Sequence, residues 1–468
     1  MIIEQIYTGC LAQGAYYIES NGEVAIIDPL REVQDYINRA ANNNAKIKYI
    51  FETHFHADFV SGHVTLANKT GANIVFGPTA KTNFETIIAN DNQIFKVGDI
   101  TITVLHTPGH TMESSCYLLK DTQGKDHALF SGDTLFLGDV GRPDLAQKSD
   151  VTEEDLAGFL FDSLRNRILP LADDVIVYPA HGAGSACGKN LSKETVGTIG
   201  NQKETNYALR ANMTKEEFVK EVTEGLLPPP AYFPLNVKLN KEGYTSTEDV
   251  IKNSTKPLSV KDFECVANEM DAVILDVRHE SEFIKGFIPQ AIFIGLDGGF
   301  APWVGALIKD ITQPILLVTP EGREADTITR LSRVGFDNVL GYLEGSFAAW
   351  KKSGKEMDVL ESISVAILEE KMKDKTPVFD VRKPGEYANE HINLAESTPL
   401  DFLNNYIAEF PKKGAFYVHC AGGYRSVIAI SILKARGFHN AVNVTGGYDA
   451  IMNTAIERTA SVCPSTLK

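Results

Sequence analysis

Residues 53–63 read THFHADFVSGH. His54, His56 and Asp58 alternate with apolar residues, so three groups of metal-ligand type fall within five positions. Imidazole and carboxylate donors suit zinc, iron or manganese. The residue after Asp58 is Phe59, whose ring has nothing to donate to a metal. Before this stretch runs KIKYIFE, a short apolar run that reads as a buried strand. Four further runs of that kind also end in ligand-type residues. EVAIIDP closes on Asp28, ITITVLHTPGH on His110, HALFSGD on Asp133 and DVIVYPAH on His181. Donors at successive strand ends converge on one edge of a sheet sandwich. Loops held by such a rigid scaffold are where sites are commonly built.

Outward from this half, TKEEFVKEVTEGL reads as a helix, and LPPPAYFPLN as a docking arm or linker, because its prolines cannot continue a helix. Beyond residue 255 the chain repeats itself. AVILDVRHESEFIKGFIPQA returns as PVFDVRKPGEYANEHINLAE, and LSRVGFDNVLGYLEGSFAAW as LKARGFHNAVNVTGGYDAIM. A period of about 100 residues is too long for a solenoid unit and suits two copies of one small α/β domain. The expected domains are residues 1–245, 256–355 and 361–468 of the 468-residue chain.

A net charge of -16 argues against broad nucleic-acid or anionic-membrane binding, since phosphate contacts need a basic surface. No apolar run approaches a membrane span, and the N-terminus lacks a basic region followed by an apolar core. The expected location is the cytoplasm. The six cysteines (Cys10, Cys116, Cys187, Cys265, Cys420 and Cys463) are scattered and form no disulfide framework.

The pieces THFHAD, HTPGHT, SGDTLF and YPAHG occur in the order and spacing of the metallo-β-lactamase superfamily, which the first half of the chain resembles. The resemblance implies an αββα sandwich. In two-zinc members the first site uses positions matching His54, His56 and His110. The second uses Asp58, residue 59 and His181, and Asp133 bridges the two. With Phe59 in place of a donor, a one-metal site is expected. Two histidines and one carboxylate match the facial triad of non-haem Fe(II) oxygenases. The subfamily so resembled is the persulfide dioxygenases. It implies one Fe(II) per chain held by His54, His110 and Asp133. His56, Asp58 and His181 then orient ligands and water, or serve as alternative metal donors. Some members keep histidine at position 59, so the fused domains carry more weight than Phe59 does. Arg142 resembles the arginine that pairs with a substrate carboxylate. Thr111 and Tyr178 are candidates to point hydroxyls into the cavity, with packing an equal reading. Asp28 is expected to brace the 53–63 loop. Cys187 reads as a buried inert thiol in preference to a sulfur relay.

In the second repeat, YVHCAGGYRSVIAISILKARGF gives an apolar strand, a loop and an amphipathic helix. Cys420 opens the loop and Arg425 closes it. Gly422 and Gly423 let backbone N–H groups turn inward, and such a nest at a helix N-terminus favours an anion or a thiolate. The loop resembles the rhodanese active loop, Cys-x-Gly-x-x-Arg, which implies that Cys420 carries sulfur as a persulfide. Asp380 and Arg382 are expected to be structural. The first repeat offers only Val318 or Thr319 where Cys420 stands. Without a nucleophile it reads as a silent scaffold copy.

Together these features resemble bacterial persulfide dioxygenase–rhodanese fusions. The resemblance implies oxidation of a low-molecular-weight thiol persulfide by O2 to sulfite, then sulfur transfer to sulfite to give thiosulfate, in sulfide detoxification. It also implies an assembly of identical subunits. The main alternative is a zinc thioester hydrolase of the glyoxalase II type with an appended rhodanese. A third reading, of another class, is a non-catalytic sulfide sensor or persulfide carrier.

Overall fold

A computed structural model describes residues 1–146, 151–189 and 191–461. Cys463 lies outside the described residues. The chain divides into two compact units, Met1–Asp249 with Ser332–Gly335, and Val250–Leu331 with Phe336–Lys468.

The first unit is built on two six-stranded sheets. One contains Ile2–Thr8, Gln13–Ser20, Glu23–Ile27, Lys46–Glu52, Asn73–Phe76 and Ile87–Ile88 in that order. The other contains Ile94–Val97, Ile100–His106, Ser115–Lys120, Asp126–Gly132, Ile176–Pro179 and Gly197–Thr198, again as neighbours in chain order. Strand side chains alternate between faces, so each strand feeds two cores. Tyr16, Ile18, Ala25 and Ile27 meet Ile102, Val104, Tyr117 and Phe130 between the sheets. The residues one step along, Ala15, Tyr17, Val24 and Ile26, pack outward under the helices Gln34–Asn42 and His63–Thr70. On the second sheet Cys116, Leu118 and Leu129 pack under Glu153–Ser163 and Lys215–Thr223. The layers are therefore helix, sheet, sheet, helix, as expected for the αββα sandwich. The proline-rich stretch is only partly a linker: from Phe233 it becomes the helix Phe233–Glu242, with Pro234 in its first turn, where no intrahelical N–H bond is lost.

The second unit holds two five-stranded parallel sheets of one topology. Their orders are Pro257–Leu258, Val339–Leu343, Ile315–Val318, Val273–Asp276, Ile292–Phe293, and Ser362–Ile363, Ala441–Val444, Phe416–His419, Val378–Asp380, Glu396–Ser397. The helix after Cys420, Tyr424–Ala435, differs from expectation. Every residue from Ser426 to Leu433 is buried, so it is apolar all round and not amphipathic. It packs on its own sheet and on the first repeat's strand Ile292–Phe293, where the Phe293 N–H donates to Ser431 Oγ at 2.9 Å.

Candidate functional site

In the first unit both sheets direct donors to one edge. Asp28, His54, His56 and Asp58 follow strands of the first sheet, and His110, Asp133 and His181 follow strands of the second. The 53–63 loop is anchored by Asp28, whose carboxylate accepts the Thr53 backbone N–H and the Thr53 hydroxyl, both at 2.8 Å. Thr53 has thereby used its only hydroxyl proton, so its oxygen, 3.0 Å from His54 Nδ1, accepts from that nitrogen. His54 is left with its lone pair on Nε2. His110 is fixed likewise: its Nδ1 lies 2.8 Å from the Arg142 carbonyl oxygen, which can only accept. Nε2 of His54 and Nε2 of His110 stand 3.9 and 3.4 Å from Asp133 Oδ2. Burial, reinforced by the surrounding histidines, pushes His54 well below the usual histidine range, so it is a neutral ligand-type imidazole.

The approach of the two sheet edges requires glycine before Asp133. Gly132 has φ +54°, and a Cβ there would lie 2.7 Å from Thr53 Cβ. From the helix Phe233–Glu242, Asn240 locks the loop's far side. Its amide donates to the His56 and Phe59 carbonyls at 2.8 and 2.9 Å and accepts the Ser61 N–H at 2.9 Å. Sequence reading missed Asn240. The signal was present as Asn236, the last residue of LPPPAYFPLN, and Asn240 one helical turn beyond it.

A second cluster adjoins the first. His181 Nε2 is 3.4 Å from Asp58 Oδ2 and 3.6 Å from Asp133 Oδ1. Donor atoms of His56, Asp58 and His181 all lie within 4.8 Å of one another. His56, however, turns Nε2 to Asp28 Oδ1 at 3.1 Å and Glu52 Oε2 at 3.5 Å. Burial pulls its pKa down, but the Asp28 charge and hydrogen bond, with Glu52, raise it above the ordinary value. Phe59 packs its ring against the His56 ring, with centroids 4.4 Å apart.

The donor set fits a cation. Both oxygens of Asp133, both ring nitrogens of His181 and Asp58 Oδ1 are buried without a hydrogen-bond partner. Unpaired buried polar atoms are costly, and a cation held by Asp133 and one ring nitrogen of His181 would satisfy part of this set. Cys187 lies beside this edge, its sulfur within 4.8 Å of donor atoms of Asp133 and His181. Burial, with the charges of Asp58 and Asp133, pushes its thiol well up, so it is held protonated.

The three residues expected at the substrate make contacts within the fold. Arg142 does not present a free fork: Asp144 takes it bidentately at 2.6 Å and 2.6 Å, and Arg142 also donates to the Leu227 carbonyl. The Thr111 hydroxyl is 2.8 Å from Ser114 Oγ, inside its own turn. Tyr178 stacks on Phe130 and packs on Tyr16, with centroids 5.3 and 5.2 Å away, so its ring is a packing element.

In the second unit Cys420 is the first residue after the strand Phe416–His419 and is buried. Its sulfur accepts the Gly423 N–H at 3.1 Å, and Gly423 has φ +118°. Gly422 is open, with only Asp449 near the place of a Cβ. Arg425 grips Glu386 with two hydrogen bonds of 2.6 and 2.8 Å. Arg382 chelates buried Asp380, donates to the Glu390 carbonyl and lies over the Tyr448 ring at 3.6 Å. The first repeat reproduces this brace with Arg278, Asp276, Gly286 and Phe347. There the counterpart of Cys420, the residue directly after the strand Ile315–Val318, is Thr319. The cradle is filled from within: Glu324 Oε1 accepts from the Gly322 N–H at 3.1 Å and the Thr319 hydroxyl at 3.3 Å.

A family model described as Metallo-beta-lactamase superfamily matches residues 8–181. One described as Rhodanese-like domain matches residues 260–353 and 364–454. The chain is a metallo-β-lactamase domain followed by two rhodanese-like domains. Its curated relatives include the probable hydroxyacylglutathione hydrolase glo2 of Schizosaccharomyces pombe, 32% identical over 161 residues, which are 34% of this chain and 58% of that protein. The hydroxyacylglutathione hydrolase of Tolumonas auensis is 34% identical over 170 residues, 36% of this chain and 60% of that protein. The chain thus spans about three fifths of the length of these relatives. A solved structure of a metallo-beta-lactamase from Staphylococcus aureus subsp. aureus COL is 30% identical, with a TM-score of 0.64, over 73% of this chain and 98% of that one. No described helix is long and apolar enough to cross a membrane.

Proposed function

We propose that the metallo-β-lactamase domain is an Fe(II) persulfide dioxygenase and that the second rhodanese-like domain is a sulfurtransferase working on its product. One observation carries the reading: the facial set of His54, His110 and Asp133 lies in the same chain as a rhodanese-like domain whose Cys420 sulfur accepts the Gly423 N–H, so a sulfur-handling site is fused to the metal-type site. Phe59, which offers no donor and covers the His56 ring, agrees with a one-metal site.

These three residues would hold the iron, which when bound supplies a centre that takes a persulfide sulfur beside O2 and relays electrons between them. The balanced reaction is R–S–SH with O2 and water giving R–SH, sulfite and two protons. The outer sulfur is oxidised, and O2 accepts the electrons. Thr53 and the Arg142 carbonyl keep both histidines in the ligand tautomer. Asp58 and His181, 3.4 Å apart, would take up the released protons in this reading.

In the last domain the Cys420 thiolate attacks the outer sulfur of a second persulfide. The S–S bond breaks, and R–SH leaves with a proton. The Gly423 N–H steadies the negative sulfur. Sulfite then attacks the terminal sulfur of the Cys420 persulfide, thiosulfate departs, and the Cys420 thiolate returns. The product of one domain is the acceptor of the other, which gives the fusion a chemical purpose.

The second reading is a zinc thioester hydrolase. It is favoured by the names of the curated relatives and by the cluster of His56, Asp58 and His181. Replacing Cys420 with Ser separates the two chemistries of the proposal. The variant is expected to consume O2 at the wild-type rate on glutathione persulfide and to release sulfite in place of thiosulfate. Loss of O2 uptake in this variant contradicts two separable sites.

A further inference from the structure

The first rhodanese-like domain has Thr319 in place of the thiol and no open cradle, yet it touches the active loop of the second. Tyr424 lies inside that loop, between Gly423 and Arg425. Its ring meets Phe293 edge-on, with centroids 5.9 Å apart, and its hydroxyl donates to the Gly295 carbonyl at 2.8 Å. Gly298 closes the far side. A Cβ there would stand 2.4 Å from Tyr424 Cζ and 2.6 Å from its hydroxyl oxygen, too close for any real contact. The segment that forms this socket is itself fixed, because Arg330 donates to the Leu296 carbonyl at 2.9 Å and pairs with Asp326.

We propose that the domain without the loop cysteine shapes the Cys420 loop, using a socket of Phe293, Gly295 and Gly298 to hold Tyr424 as a positioning residue. The loop has two ends to fix. Arg425 is held from within its own domain by Glu386. Tyr424, one residue nearer the sulfur, is held from the neighbouring repeat. Gly423, whose N–H meets the Cys420 sulfur, is the next residue along. A shift of Tyr424 therefore moves the donor that faces the nucleophile. This assigns the repeated domain a task that needs its fold and its strand Ile292–Phe293 but no thiol.

The inference rests on Cys420 being the sulfur carrier. Its test uses the full chain in a sulfur-transfer assay with thiosulfate or glutathione persulfide as donor. Gly298→Ala pushes against the ring, and the expected result is a fall in kcat of about tenfold or more with little change in KM for the donor, since a misplacement near 1 Å costs up to about a hundredfold. Tyr424→Phe keeps the packing and removes only the hydroxyl, with an expected loss of a few-fold. Gly298→Ala combined with Tyr424→Leu should be no worse than Tyr424→Leu alone, because Gly298 acts only through that ring. Wild-type kcat in both Gly298→Ala and Tyr424→Phe, or multiplicative losses in the double variant, would overturn the inference. Cys420→Ser is run beside them. If it retains full transfer, the assignment of Cys420 fails and the positioning role with it; if it abolishes transfer while Gly298→Ala and Tyr424→Phe do not change kcat, only the positioning role fails.

Discussion

Thr53 shows how one hydroxyl decides the state of a neighbouring imidazole. It gives its proton to Asp28 and must accept from His54 Nδ1, so Nε2 faces Asp133 as a lone pair. Thr53→Val breaks that chain and leaves the His54 ring free to rotate. Partners of this kind are worth about ten- to a hundredfold in metal affinity, and a loss of that size is expected in a chelator competition titration. Phe59 makes the opposite case, a residue that withholds a donor. Phe59→His restores one beside Asp58 and His181. The expected outcome is a rise in metal bound per chain, read by elemental analysis after dialysis, with the first site still filled.

At the scale of elements, loops depend on what packs behind them. Asn240, buried on the helix Phe233–Glu242, satisfies the Ser61 N–H and two carbonyls of the site loop. Asn240→Ala strands those groups, and a buried orphan costs about 1–3 kcal/mol. The unfolding midpoint of the first unit is expected to drop by several degrees in a calorimetric scan. In the last domain Glu386 carries a pH signature. Burial raises its pKa, but the hydrogen bonds from Arg425 and the Lys383 N–H, with the Arg425 charge, leave the carboxyl below its usual value. A depressed carboxylate stabilises the fold above its unfolded pKa and loses that contribution as pH falls through the folded pKa. Glu386→Gln should therefore destabilise the domain at neutral pH, and its deficit against wild type should shrink below about pH 4 in denaturant titrations.

These elements also mark what was legible in the sequence. Strand ends carrying His54, His110 and Asp133 could be read because strand period and ligand type coincide in short motifs. The strand-to-helix junction at Cys420 could be read for the same reason. Long-range partners could not. Arg142 has the residue type for a substrate carboxylate, and only the fold places Asp144 and the Leu227 carbonyl against it. The helix Tyr424–Ala435 was misread as amphipathic because its second apolar face is covered by the other repeat. Nothing local to SVIAISIL announces that neighbour.

At the scale of the whole molecule, a duplicated domain has kept its fold and lost its chemistry in one copy. The Asp–Arg brace persists in both repeats, as Asp276 with Arg278 and Asp380 with Arg382. The nucleophile does not, and Glu324 occupies the cradle where an anion would bind. A Glu324→Ala variant should therefore gain weak sulfate or thiosulfate binding in the first repeat, detectable by titration calorimetry, without gaining sulfur transfer. The reading of the first domain stands on a single facial set of His54, His110 and Asp133. Metal content measured on the purified chain, together with O2 uptake on adding glutathione persulfide, tests it most directly. The account predicts close to one iron per chain and prompt O2 consumption; two zinc ions per chain with hydrolysis of an acyl-glutathione thioester and no O2 uptake would contradict it.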